Sequence, residues 1–424
     1  MSVKESILFT PARATVEQGA VTWDRVRNST AIADLPQLFW GDGEPWREAN
    51  LWLMLEATTG QKPIETVKSK AYALLEYCKW LERTQTNWWD FPPIESDRCL
   101  VKYHGHLRRQ LRSGTKANST CSQRMQIVIQ FYRWLRAQSL LTPEWPMWKE
   151  KFFNIKFNNS FGLERTLTVS STSLSIPNRK SNTQGLEEGL YPVSNSDRDR
   201  ILDLALKYCP YEIYLLLMVG FFTGMRIQTI SGLTIETLES AVQDPASEGL
   251  YRIAVGPGAR PPVPTKNSVT GHVWITKPLL DELRKYCYST TRLLREAKAE
   301  ETNKNLVFLT KRGNPYADRS RDSSPAINVA MHSLRNLGLK HGVSALQKFK
   351  FHQTRCTFAT ELARLAINAG GAIHAIAIVK DALLHKNEET SIRYIKFIER
   401  NPIKVAMANE FTKSFFNAAS VARV

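Results

Sequence analysis

Five residues of the C-terminal half, Arg226, His352, Arg355, His385 and Tyr394, sit in short frames that limit how the chain around them can fold. The first frame is Thr223-Gly224-Met225-Arg226-Ile227, at the end of the apolar run Ile213 to Phe222. A glycine there can close an apolar helix in the left-handed conformation. The next helix then starts at the arginine, and a guanidinium beside a helix N-terminus suits an anion. The second frame is His352-Gln353-Thr354-Arg355, which opens the segment CTFATELARLA. Its i, i+3 spacing puts imidazole and guanidinium on one helical face. Phe358, Leu362 and Leu365 then give the stripe of a buried helix. The third frame is Leu384-His385-Lys386, after which Thr390 can start a short helix bearing Ile392, Tyr394, Ile395 and Ile398. Each frame alone has a plain structural explanation: a surface arginine, a satisfied core histidine, a core aromatic.

Together they carry two guanidiniums, two imidazoles and a phenol, the groups needed to move a phosphoryl group from DNA onto a tyrosine. A tyrosine has a pKa near 10 and is mostly protonated at neutral pH. It becomes a nucleophile only when neighbouring cations and a proton acceptor activate it. The formal charge of +17 points the same way. Each Lys or Arg placed on a phosphate releases a condensed counterion, so such a surplus favours a polyanionic partner. Charge alone does not separate DNA from RNA or from an acidic membrane. The six cysteines are scattered, with no CxxC or Cys/His metal spacing. They read as reduced thiols rather than disulfides or a zinc site. The N-terminus lacks the apolar core of a signal peptide. The longest apolar stretch, Ile213 to Phe222, is shorter than the roughly 20 residues of a membrane span. A soluble, cytoplasmic protein with no membrane partner is expected.

At 424 residues the chain is too long for one ordinary domain. Residues 1–60 mix Trp23, Trp40, Trp46 and Trp52 with polar residues, and their role stays open. Residues 61–141 have helical period, with Val67, Ala71, Leu74, Leu75, Cys78 and Leu81 on one stripe. A second helix there carries Leu100, Leu107 and Leu111 among His104, His106, Arg108, Arg109 and Arg112. A third begins near Thr120, with Gln123 completing a capping box. Residues 142–195 lose the periodicity, are rich in Ser, Thr and Asn, and read as a linker. Residues 196–424 form the last domain, opening at Ser196 as an N-cap. Strands are expected at 250–255, 272–275 and 306–309, and helices near 277–298, 325–338, 353–367, 373–383 and 389–397. The fold class is mainly α with a small antiparallel β-sheet: a helical domain, then an α+β domain. In the tail, Val405, Met407, Phe411, Phe415 and Phe416 lie at helical spacing. That helix would dock on a neighbouring copy or on its own domain.

In order and spacing the frames resemble the catalytic signature of the tyrosine recombinases, the phage integrase family. The matching elements are the Arg box TGMR, a hairpin lysine, HQTRCTFAT, the LLH segment and a tyrosine nine positions beyond its histidine. The likeness covers residues 200–400, and 63–140 more loosely resembles the family's core-binding domain. The resemblance implies a site-specific DNA recombinase or integrase acting through a 3′-phosphotyrosyl intermediate. Arg226 and Arg355 would then bind the scissile phosphate, His352 would take the proton from Tyr394, and His385 would hydrogen-bond the phosphate. Lys266, in the turn between the strands at 250–255 and 272–275, would protonate the leaving 5′-oxygen; Lys277 and Lys311 are weaker candidates. The implied partners are double-stranded DNA and three further copies, a homotetramer on two DNA sites, which accessory DNA-bending proteins could join. No cofactor or metal is implied, and the sequence has no P-loop and no carboxylate cluster for two metals. Three positions depart from the family pattern: Thr229 for a frequent Glu, Cys356 for a frequent His and Leu384 for Gly. A relaxing enzyme of the type IB topoisomerase class and a non-catalytic DNA-binding protein are the competing readings.

Overall fold

The computed structural model describes all residues except 18–19, 27–28, 60–61, 159–163, 179–185, 318–323 and 400–424. The tail residues Val405, Met407, Phe411, Phe415 and Phe416 lie outside the described residues. The chain divides into two units, Met1–Asn182 and Thr183–Val424.

In the first unit β1 (Val3–Phe9) pairs antiparallel with β4 (Ile32–Phe39), and β2 (Ala12–Glu17) with β3 (Ala20–Arg25). Four helices follow: α1 (Arg47–Thr58), α2 (Ile64–Thr84), α3 (Cys99–Arg112) and α4 (Asn118–Ala137). The stripe read on α2 is buried in their shared core, as are Leu100 and Leu107 of α3. Two long-range polar contacts specify the packing. Asn50 on α1 bonds both backbone groups of Leu38 on β4, at 2.7 and 3.0 Å. The hydroxyls of Tyr77 and Tyr132 meet at 2.8 Å between α2 and α4. On the other face of α3, Lys102, Arg108, Arg109 and Arg112 are exposed. The capping box expected at Thr120 does not form: α4 starts at Asn118 with no side-chain cap. Gln123 donates instead to Ser69 Oγ on α2 at 3.1 Å, a tertiary bond that displaces the local one. The stretch read as a linker contains a hairpin, β5 (Glu150–Asn158) paired with β6 (Glu164–Thr172). Beyond it, Leu174 and Ile176 enter the first unit's core.

The second unit opens with α5 (Asn195–Tyr208). Its cap is Ser194, which accepts from the Asp197 N–H at 3.1 Å, rather than Ser196. Next come α6 (Tyr211–Thr223), α7 (Ile227–Ser231) and α8 (Ile235–Glu239). The strands β7 (Val242–Gln243), β8 (Leu250–Val255) and β9 (Gly271–Thr276) form one antiparallel sheet in that order. Residues 306–309 add no strand; Leu306 and Leu309 make only single bridges, to Thr234 and Pro315. The helix expected at 277–298 is two, α9 (Lys277–Cys287) and α10 (Thr290–Glu296). The Ser289 hydroxyl caps the second of these by accepting from the Arg292 N–H. Then follow α11 (Pro325–Lys340), α12 (Gln353–Leu383) and α13 (388–399).

The two helices expected over 353–383 are thus joined, with a break where Gly371 has φ 79°. By length and composition α12 could cross a membrane, which the sequence reading did not anticipate. Its arms, 353–370 and 372–383, each fall short of the roughly 20 residues of a span, and the first carries the buried Arg355. α12 packs on the largely apolar α6. A Cβ on Gly220 of α6 would lie 2.5 Å from Thr354 Oγ1, so glycine lets the two helices approach. Gly224 ends α6 with φ 66°, and a Cβ there would lie 2.4 Å from the Phe358 ring.

Gly224→Ala combines a left-handed penalty of about 1–2 kcal/mol with overpacking of about 1–3 kcal/mol. Urea unfolding of the full chain should show a loss of about 2 kcal/mol or more; a loss under about 0.5 kcal/mol would contradict this packing.

Candidate active site at converging helix ends

Three helix ends of the second unit bring the sequence frames together. Arg226 occupies the N-cap position of α7, directly after the α6 terminus. That helix has only five residues, so the attraction for an anion rests on the guanidinium rather than on a helix dipole. His352 immediately precedes α12, and Arg355 lies in its first turn. At the far end of α12, Leu384 turns left-handed with φ 52°, and His385 follows. For a residue with a Cβ that conformation costs about 1–2 kcal/mol. The cost is offset by the Leu384 side chain packing on the second unit's core. Tyr394, on α13, is fully buried.

Arg355 ties these ends to one another. Its Nη1 donates to the Gly224 carbonyl at 2.7 Å and its Nη2 to the Leu383 carbonyl at 2.9 Å. Those carbonyls close α6 and α12, where helix ends leave acceptors unpaired and partial negative charge accumulates. The Nε edge faces the carboxylate of Glu187, 3.4 Å from Oε1. The same oxygen lies 2.9 Å from His385 Nε2 and accepts from the Tyr394 hydroxyl at 3.0 Å. Oε2 lies 3.3 Å from Arg226 Nη2 and 3.2 Å from His352 Nε2. All five residues of the three frames thus reach one carboxylate. His385 is oriented from behind, its Nδ1 2.9 Å from the buried Ser391 hydroxyl, and its ring stacks on Tyr394.

Lys266 stands exposed in the short turn Lys266–Ser268 between β8 and β9. It lines a cleft with Arg226, Thr229, Arg355 and Leu384, so the sheet delivers a lysine to the two arginines. Lys277, at the start of α9, and Lys311 do not line it. Among the described residues, no group of three His, Cys, Asp or Glu is placed to hold a metal ion.

Burial and the neighbouring charges together shift the titration of Glu187 and Tyr394. Burial opposes ionisation of Glu187, but hydrogen bonds with His352 and His385 and the charges of Arg355 and Arg226 outweigh it. They hold its carboxyl far below the usual range. Burial, then the Glu187 charge, pushes the Tyr394 hydroxyl well above 10, with Arg355 pulling the other way. The tyrosine is therefore protonated in this arrangement. Cys356 is a buried thiol in the core around Tyr394, pushed up to about 12 mainly by burial.

Glu187 was not among the residues singled out in the sequence. It lies in Leu186-Glu187-Glu188-Gly189, inside the stretch read as a linker. Its partners are 165 to 207 positions away except for Arg226, and no spacing rule connects them. An acidic pair in a strongly basic chain was the one available signal.

Residues 194–399 match the model of the phage integrase family. Among solved structures, the chain is similar to the integrase of the Tn1549 transposon in complex with transposon right end DNA. The identity is 14% over 82% of this chain and 94% of that one, with a TM-score of 0.50. The same integrase in complex with circular intermediate DNA gives the same identity, coverage and TM-score. At that identity the likeness is one of fold. No curated protein matches the sequence.

Burial, with Arg355 and Arg226 adding to it, lowers the His385 pKa below 6.5 against the opposing pull of Glu187. The stability attached to its neutral form is complete above 6.5 and is lost as pH falls towards the depressed folded value. An NMR titration should place the His385 midpoint below 6.5, and a midpoint above it would contradict this environment.

Proposed function

The match over residues 194–399 makes this chain a member of the phage integrase family, the tyrosine recombinases, and we propose that it cleaves and rejoins DNA through a 3′-phosphotyrosyl intermediate. One observation carries the reading. Two guanidiniums, two imidazoles and a tyrosine hydroxyl all converge on a single anion's two oxygens. A scissile phosphate held by those donors would have the tyrosine oxygen within reach of phosphorus.

The chemistry follows from the groups present. Arg226 and Arg355 meet the non-bridging oxygens and stabilise charge that grows in the transition state. Arg355 is fixed beforehand by two carbonyls, so it need not reorganise as the reaction proceeds. His385, neutral and oriented by Ser391, donates a hydrogen bond to the phosphate. His352 takes the proton from Tyr394, whose oxygen attacks phosphorus. The bond to the 5′-oxygen breaks, and Lys266 supplies that oxygen's proton. A 5′-hydroxyl from a partner strand then reverses the step, the bond energy having been kept in the phosphotyrosine.

Double-stranded DNA is the substrate on this reading. The net charge of +17 and the exposed Lys102, Arg108, Arg109 and Arg112 of α3 support residues 61–141 as a DNA-binding domain. Exchanging two duplexes, each cut on both strands, needs four tyrosines, so the working form is a tetramer on two sites. Accessory DNA-bending proteins and a place on DNA in the cytoplasm belong to the same reading.

Tyr394→Phe removes one hydroxyl and should abolish covalent DNA linkage while leaving DNA binding intact. The assay is denaturing gel analysis of protein incubated with fragmented DNA in EDTA. A DNA-linked band from the variant would overturn the assignment. Relaxation of any plasmid by the parent, without a sequence requirement, would favour a topoisomerase instead.

DNA affinity should also fall steeply with salt, because each neutralised phosphate contributes about −0.9 to the slope of log K on log salt for duplex DNA. An affinity unchanged between 50 and 200 mM salt, the roughly physiological span over which such contacts weaken, would contradict the proposed footprint.

A further inference from the structure

We propose that Glu187 blocks the active site, its carboxylate holding the position of the scissile phosphate, so that the strap bearing it must leave before DNA can react. The proposal rests on the recombinase reading and adds a regulatory step to it.

Mutual exclusion is the first ground. Oε1 takes Arg355, His385 and Tyr394, and Oε2 takes Arg226 and His352. A phosphate bound for attack by Tyr394 would need those same donors. A carboxylate that merely positioned the arginines would leave edges of them facing the substrate; this one sits between them and the nucleophile. A second anion beside it would meet strong like-charge repulsion in partly buried surroundings.

The seating is built rather than incidental. Leu186 is buried among Cys356, Tyr394 and Ile395. The Leu186 N–H donates to the Leu190 carbonyl at 2.8 Å, closing the turn that presents Glu187. Downstream, the Val193 N–H donates to Thr357 Oγ1 at 3.0 Å, and Gln353 Nε2 donates to the Tyr191 carbonyl at 3.0 Å. Residues 186–193 therefore form a strap across the first turns of α12, held by the buried Leu186, by the partly buried Leu190 and Val193, by the Tyr191 ring against Phe397 and by a few hydrogen bonds.

The bound state is also the wrong one for catalysis. Glu187 makes the Tyr394 hydroxyl harder to ionise and occupies His352, the group that would accept its proton. Its departure would take this carboxylate away from Tyr394 and from His352.

The test uses the full-length parent, Glu187→Gln, Glu187→Ala and Leu186→Ser, each checked for an unchanged fold by circular dichroism. Inorganic phosphate binding is followed by NMR of His352 and His385, and covalent linkage by the initial rate of DNA capture. Removing the carboxylate should tighten phosphate binding and speed capture, each at least tenfold. Leu186→Ser should give a smaller gain in both with Glu187 still present. Phosphate binding no tighter in both Glu187 variants, or slower capture, would overturn the block and make Glu187 a positioning residue. Tighter phosphate binding with no DNA capture by any protein would uphold the block while the recombinase reading fails.

Discussion

The guanidinium of Arg355 joins the carbonyl of Gly224, which closes α6, to the carbonyl of Leu383, which closes α12. The first carbonyl belongs to the TGMR frame, the guanidinium to the HQTR frame, and the second carbonyl to the LLH segment. One planar cation thus sets the distance between three segments that are far apart in the chain. Arginine suits this place because its donors form a rigid fork that remains charged when buried. Two of its N–H groups serve the scaffold, and its Nε edge is directed at the site.

This arrangement separates holding the site together from binding its anion. A buried charge is ordinarily costly unless fully partnered. Here the backbone supplies part of that partnership, so Arg355 does not depend on Glu187 alone for its position. Arg226, His352 and His385 likewise arrive from separate segments, each fixed by its own helix end. An anion can then exchange at the centre while the framework stays in place. The electrostatics are correspondingly sensitive to what sits there. With Glu187 present, burial and its charge together hold the tyrosine protonated against the pull of Arg355.

Much of this was legible in the sequence wherever the signal was local. The apolar stripe of α2, the left-handed Gly224 and the i, i+3 pair of His352 and Arg355 all follow from helical period and turn chemistry. The errors came where a distant partner overrode a local preference. Gln123 gave up its capping role for Ser69 on another helix. The bridge of Leu306 to Thr234 likewise reflects a neighbour far away in the chain, whereas the break at Ser289 is a local cap, its hydroxyl accepting from the Arg292 N–H. The hairpin β5–β6 did leave a trace, since Phe153, Ile155 and Phe157 alternate with Asn154 and Lys156. Its surroundings, rich in Ser, Thr and Asn, obscured that period.

The sequence by itself determined which chemical groups this protein carries, their order, and the local frames that end one helix and begin the next. Those properties depend on neighbours within one or two turns. Only the tertiary structure decided that the two arginines, two histidines and Tyr394 face one point, that Lys266 lines the same cleft, and that Glu187 occupies the centre. Glu187 meets His352, His385 and Tyr394 across 165, 198 and 207 positions of chain. Contacts at such separations are fixed by how helices pack and where they stop, and no periodicity in the intervening residues encodes them.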